Sequence, residues 1–243
     1  WVLASYLIAV AIVMPLVGTL AARLGRRRLF LGAIIGFCIA SMLSGSADNL
    51  SELVVYRFLQ GIFASPLTPI SQSFVFDSFP AENRGKAMSW WSLGVMIGVL
   101  SGPAIGGYLT EFHSWRWVFY INIPIGILSF VLIYIFGPRY RPAAVDHPFG
   151  WVGFLILAVG LVSMQIVLSR GERMDWFSST QIVFATGLAV AFLYTYIVHS
   201  AVSDHPFIPP AIFTDRNFSI GLVLMLMLGV HWLAFIALVS PYL

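Results

Sequence analysis

Apolar runs about as long as the hydrocarbon core of a bilayer alternate along the chain with short polar stretches. A helix needs about 20 predominantly apolar residues to cross that core. Windows of this kind run from Trp1 to Leu20, Leu29 to Ala47, Leu53 to Phe76, Ala87 to Thr110, Val118 to Phe136, Gly150 to Leu168, Gln181 to Val198 and Phe218 to Leu243. The pattern predicts eight spanning helices that use nearly the whole chain. A closed barrel would show segments of about ten residues with alternating polarity, and the sequence has none. The fold class read from the pattern is an all-α integral membrane protein.

Composition agrees with that solvent. Of 243 residues, 59% are hydrophobic and 9% charged, against about 25% charged in a soluble domain, and the mean hydropathy is +0.90. No loop between windows is long enough to fold by itself in water. The single cysteine, Cys38, lies within a window, can make no intrachain disulfide, and reads as a packing residue. No signal-peptide pattern is present, and both Trp1 and the final Pro241-Tyr242-Leu243 lie in apolar sequence. A longer chain, cut at both ends, is the expectation.

Lysine and arginine set the orientation, because cytoplasmic loops carry the excess. With the loop after the first window inside, the inner loops hold Arg23, Arg26, Arg27, Arg28, Arg84, Lys86, Arg139, Arg141 and Arg216, and the outer loops hold Arg116, Arg170 and Arg173. The first window therefore runs from outside to inside. The net charge of +3 comes from these loops and requires no nucleic-acid partner. The run Arg26 to Arg28 has two readings, a topology signal and a gating element.

Two windows carry residues that hydrophobicity does not explain. In the third, Arg57, Gly61, Ser65, Thr68 and Gln72 fall within about 80° of one another at 100° per residue, with Gln60 at the edge of the stripe. Intramembrane arginines face a bundle interior or a wet cavity, so the stripe reads as the lining of a pathway; the alternative is that Arg57 snorkels to the outer interface. In the fourth window Gly94, Gly98, Gly102 and Gly106 recur every four residues. Such a bare face lets two membrane helices approach closely, and Pro103 within it frees a carbonyl and is expected to bend the helix. Gly106-Gly107 adds to that face.

Among the remaining candidates, His231 is an ionisable group inside the last window, either a proton or substrate site or a histidine bonded to a neighbour. Asn122, before Ile123-Pro124, reads as a cap or turn residue. Trp115, Trp117, Trp151 and Trp176 read as an interfacial belt. An intramembrane enzyme would need a zinc-binding HExxH pair or a nucleophile constellation. His113, His147, His199, His205 and His231 have no such spacing, and no phosphate-binding loop is present. No metal site, cofactor or catalytic residue is expected.

The order of these features resembles the major facilitator superfamily, and within it the fourteen-span drug:proton antiporters of the EmrB and QacA type. Gly18-Thr19-Leu20-Ala21-Ala22-Arg23-Leu24-Gly25-Arg26-Arg27 is similar to that group's signature loop between the second and third spans. Arg57, Gln60 and Gly61 match the arginine motif of the fourth span, and Gly98, Gly102, Pro103, Gly106 and Gly107 the antiporter motif of the fifth. Trp115-Arg116-Trp117-Val118-Phe119-Tyr120-Ile121-Asn122-Ile123-Pro124-Ile125-Gly126 is similar to the start of the sixth span. Pro66-Leu67-Thr68-Pro69-Ile70-Ser71-Gln72-Ser73, and Leu168-Ser169-Arg170-Gly171 with Asp175-Trp176-Phe177-Ser178-Ser179, resemble the EmrB branch.

The resemblance implies a major-facilitator-type helical bundle in which the eight windows correspond to spans two through nine of fourteen. Residues 1–137 would be most of the N-terminal six-helix half without its first span, 138–200 two extra linking spans, and 201–243 a cytoplasmic loop and the first helix of the C-terminal half. The implied function is efflux of hydrophobic or cationic drugs from a bacterial inner membrane, driven by inward proton flow through alternating access. Under it Arg57 and Gln60 couple proton to substrate, and the glycine face with Pro103 packs the two halves against each other. The implied partners are drugs, protons and the lipid bilayer, with a periplasmic adaptor and an outer-membrane channel extending the path; the proton gradient replaces any cofactor. Facilitated movement of another solute, such as a metabolite or siderophore, is the alternative. One departure stands out: the family's loop usually carries an aspartate where this chain has Ala22. Asp77 is then expected to offer a carboxylate to Arg23 or Arg26, unless it is simply a hydrated interfacial residue.

Overall fold

The computed structural model describes residues 1–138, 149–203 and 206–239, so Arg139, Arg141, His147, His205 and the terminal Pro241-Tyr242-Leu243 lie outside the described residues. The first span comprises α1 (Val2–Val13) and α2 (Val17–Leu24), joined by a 3-10 turn at Met14–Leu16 that contains Pro15. Pro15 lacks the N–H that would continue the α-helical ladder, which accounts for a break the apolar pattern does not show. Gly25 follows with φ 85°, a conformation that favours glycine, and α3 (Arg26–Gly45) returns to the other side.

The next helix, α4 (Leu50–Ala64), starts where Asn49 Oδ1 accepts from the Glu52 N–H at 2.8 Å while Glu52 Oε2 accepts from the Asp48 N–H at 3.1 Å, a reciprocal cap of the exposed N–H groups. Ser65 and Pro66 interrupt the helix before α5 (Leu67–Ser78). Next come α6 (Arg84–Phe112), which continues through Pro103, the short α7 (Trp117–Tyr120) and α8 (Asn122–Phe136). The chain continues with α9 (Trp151–Arg170), α10 (Thr180–Val202) and α11 (Arg216–Val239). Among the described residues, seven segments are long and apolar enough to cross a membrane. They coincide with the first seven windows, and α11 occupies the eighth.

The described residues within Trp1–Asp146 and Ala158–Val190 form one compact unit, and those within His147–Leu157 and Ala191–Leu243 a second. At the centre of the first, α3 packs against α4, α7 and α8, while α1 packs against α4. Val17, Phe30, Ile34, Ile70 and Phe74 make its core, with the Phe30 and Phe74 rings edge to face at 5.5 Å. Loops that the charge pattern assigns to one side do meet. On the outer side Arg116 donates to the Ala47 carbonyl at 3.2 Å. On the inner side Arg27 donates to the Tyr134 carbonyl and Arg26 to Asp77. In the second unit the segment after α10 folds back: Ser200 Oγ donates to the Ile208 carbonyl at 3.0 Å, and the Phe207 ring meets Phe149 at 5.5 Å and Phe154 at 5.6 Å.

Candidate functional site

Arg57 lies two turns into α4, about 10 Å along its axis from Leu50 at 1.5 Å per residue. Its side chain packs between α1 and α7. Nη1 donates to Gln60 Oε1 at 2.7 Å, and the guanidinium carbon sits 4.5 Å from the centre of the Tyr6 ring on α1 and 5.8 Å from that of Phe119 on α7. Arg57 Nε is buried with no hydrogen-bond partner among the described residues. Gln60, one turn further along α4, is 1% exposed and passes the chain of hydrogen bonds on: its Nε2 donates to Ser41 Oγ on α3 at 3.1 Å. Ser41, fully buried, donates to the Phe119 carbonyl at 2.8 Å and accepts from Asn122 Nδ2 at 3.1 Å.

The guanidinium is therefore a fixed positive charge held in apolar surroundings by one amide oxygen and two aromatic faces. Local helix geometry accounts for part of this arrangement. Positions three apart on a helix are neighbours, so Arg57 meets Gln60. Gly61 lets α4 approach α1 closely, since a Cβ there would lie 2.4 Å from the Tyr6 carbonyl oxygen and 2.8 Å from Ala9 Cβ. That approach brings the Tyr6 ring over Arg57.

The rest of the polar stripe is spread out. Ser65, 2% exposed, lies at the junction of α4 and α5 with its hydroxyl unpartnered among the described residues. Thr68 is exposed and Gln72 half-buried on α5. Asn122 is the first residue of α8; its side chain does not cap the helix but reaches across to Ser41. Ser41, Asn122, Tyr6 and Phe119 thus belong to the Arg57 cluster although the apolar pattern does not mark them. The usable signals were a serine and an asparagine inside otherwise apolar spans, residue types that cross-bond membrane helices.

At the end that the charge pattern assigns to the cytoplasm, Arg26 donates to both Asp77 Oδ2 and, at 3.2 Å, Ser73 Oγ, tying the start of α3 to the end of α5. Arg27 lies 5.6 Å from the Tyr134 ring. Gly25 is buried at the turn and Arg23 is exposed at the end of α2. Beside them a cleft of about 420 Å³ is lined by Gly18, Ala22, Gly25, Arg26, Pro69 and Ser73. The antiporter-motif residues lie on α6, where a Cβ added at Gly98, Gly102, Gly106 or Gly107 would meet nothing within 4 Å, and Pro103 is exposed. His231 is exposed on α11. Among the described residues no group of three His, Cys, Asp or Glu side chains is placed to hold a metal ion.

The profile of the Major Facilitator Superfamily matches residues 1–243. The chain belongs to that superfamily. Similar proteins include the fatty acid resistance protein FarB of Neisseria gonorrhoeae, 39% identical over 92% of this chain and 44% of FarB, and the multidrug export protein EmrB of Escherichia coli, 39% identical over 91% of this chain and 43% of EmrB. Multidrug resistance protein 3 of Bacillus subtilis is 34% identical over 94% of this chain and 44% of that protein. This facilitator chain spans less than half the length of these curated relatives. With its apolar helices and this family, it is a multi-pass bacterial membrane protein.

Proposed function

We propose that this facilitator chain supplies most of the N-terminal half, the two linking spans and the start of the second half of a proton-coupled multidrug exporter of the bacterial inner membrane. Facilitator halves rock about a site at their interface near the bilayer midplane. In this reading Arg57 and Gln60 lie beside the route of proton and substrate, the cleft at Arg26 and Asp77 belongs to the cytoplasmic gate, and the uncovered glycine face of α6 is where the second half presses. The observation that carries it is the arginine retained inside the bundle. A charge inside a membrane bundle stays there only against a considerable desolvation penalty; Arg57 is half-buried, and its one side-chain acceptor among the described residues is the neutral Gln60. The names of EmrB and the Bacillus protein support drugs as cargo.

No catalytic step or cofactor is assigned; the proton gradient supplies the work, and a periplasmic adaptor and outer-membrane channel are the proposed partners. A second reading, movement of another solute, has one observation in its favour: FarB is named for fatty acid resistance. The test is proton counterflow. In proteoliposomes holding a full-length transporter that carries this sequence, with a pH-sensitive fluorophore inside and no imposed gradient, a cationic dye gradient should drive protons the opposite way. Dye movement with no proton movement would refute antiport, and proton movement driven by a fatty acid but by no cationic dye would favour the second reading.

A further inference from the structure

The Arg57 cluster has a centre the superfamily match does not name. A serine hydroxyl has one proton to donate and two lone pairs to accept with. Ser41 uses all three: its O–H goes to the Phe119 carbonyl at 2.8 Å, and its lone pairs receive Gln60 Nε2 and Asn122 Nδ2, each at 3.1 Å. No capacity is left over, and Ser41 is fully buried, so no water replaces a lost bond. This saturation fixes direction. Because Ser41 Oγ has given its only proton to Phe119, it can only accept from Gln60, so the amide must present Nε2 to Ser41 and Oε1 to Arg57 Nη1, where it is found at 2.7 Å. A flipped Gln60 would aim an N–H at a guanidinium that has no acceptor to offer.

Resting on the exporter reading above, we infer that Ser41 is the positioning residue for Arg57. Its hydroxyl joins α3, α4, α7 and the start of α8 and locks the Gln60 amide in the one orientation that can hold the guanidinium beside Tyr6. It acts through Gln60 and does not touch cargo. The same hydroxyl makes the position of Arg57 depend on how α7 and α8 sit against α3, since Phe119 and Asn122 supply its other two bonds. A shift of that helix pair during rocking reaches the arginine through one atom.

The experiment measures dye transport driven by an imposed pH gradient in proteoliposomes, using a full-length transporter that carries this sequence. Ser41→Ala should lower the maximal rate about tenfold, of the order expected when a buried hydrogen-bonded group loses its partner, with the half-saturating dye concentration within twofold of the parent. Gln60→Ala should do the same, and the double variant should be no slower than either single one, because both remove the same constraint. Ser41→Thr, which keeps the hydroxyl, should restore the rate to within twofold. Ser41→Cys, a near-isosteric weak donor and acceptor, should fall between. A parent-like rate in Ser41→Ala or Ser41→Cys, or losses that multiply in the double variant, would overturn the assignment. Arg57→Ala in the same vesicles separates the two layers. If it transports as the parent does, the role given to Arg57 fails, and with it that of Ser41, whereas a parent that moves no dye under the gradient would sink the exporter reading. If it is inactive while Ser41→Ala is parent-like, only the role given to Ser41 fails.

Discussion

At Gly61 the missing side chain does structural work that its place in the polar stripe does not reveal. A Cβ there would collide with backbone on α1 rather than with a movable side-chain tip. Gly61→Leu is therefore expected to destabilise the bundle by about 1–3 kcal/mol, the usual range for overpacking, read as a lower unfolding temperature in detergent; an unchanged temperature would mean the helices part without penalty. The glycine was visible in the sequence, but its partner was not, since contact with Tyr6 and Ala9 joins residues more than fifty positions apart. Arg57 and Gln60 were legible because three-residue spacing on one helix makes them neighbours whatever the fold. Ser41 and Asn122 were not, because a hydroxyl or amide inside a span acquires meaning only from the helix that packs against it.

Between elements, the pair Arg26–Asp77 bridges α3 and α5 where the superfamily's usual aspartate is replaced by Ala22. Both side chains are 32% exposed, so the pair adds little to stability, at most about 1 kcal/mol. Asp77→Asn should leave unfolding of the chain nearly unchanged while altering the rate of transport and its dependence on pH in the full-length protein; identical transport profiles would remove the pair from the gate. The glycine face of α6 makes the complementary case. Gly102 meets nothing within 4 Å, so Gly102→Leu should not destabilise this chain and should add at most about 1 kcal/mol, the helix-propensity cost of glycine. If the second half packs there, the same change should slow full-length transport at least tenfold. Equal transport would place that interface elsewhere. Breaks within spans were harder to foresee: Pro15 and Ser65-Pro66 interrupt helices that apolar character draws as continuous, and the stripe from Arg57 to Gln72 crosses the second break. Thr68 lies exposed while Ser65 is buried.

Over the whole molecule, which loops share a side was the most legible property, because charge bias acts on each loop independently of tertiary packing. Loops assigned to one side are joined by Arg116 with Ala47, Arg27 with Tyr134 and Arg26 with Asp77. The superfamily was legible for a related reason: its motifs are local strings in fixed order, and the match covers residues 1–243. Mechanism belongs to a longer object, because relatives such as EmrB are more than twice the length covered and facilitator sites form between halves. The proposed coupling of proton flow to export runs through the half-buried Arg57. It is tested most directly by dye extrusion from proteoliposomes holding a full-length transporter that carries this sequence, with and without an imposed pH gradient, in the parent and in Arg57→Ala. Extrusion should require the gradient and be lost in Arg57→Ala; equal extrusion without a gradient, or an Arg57→Ala variant as fast as the parent, would contradict that role.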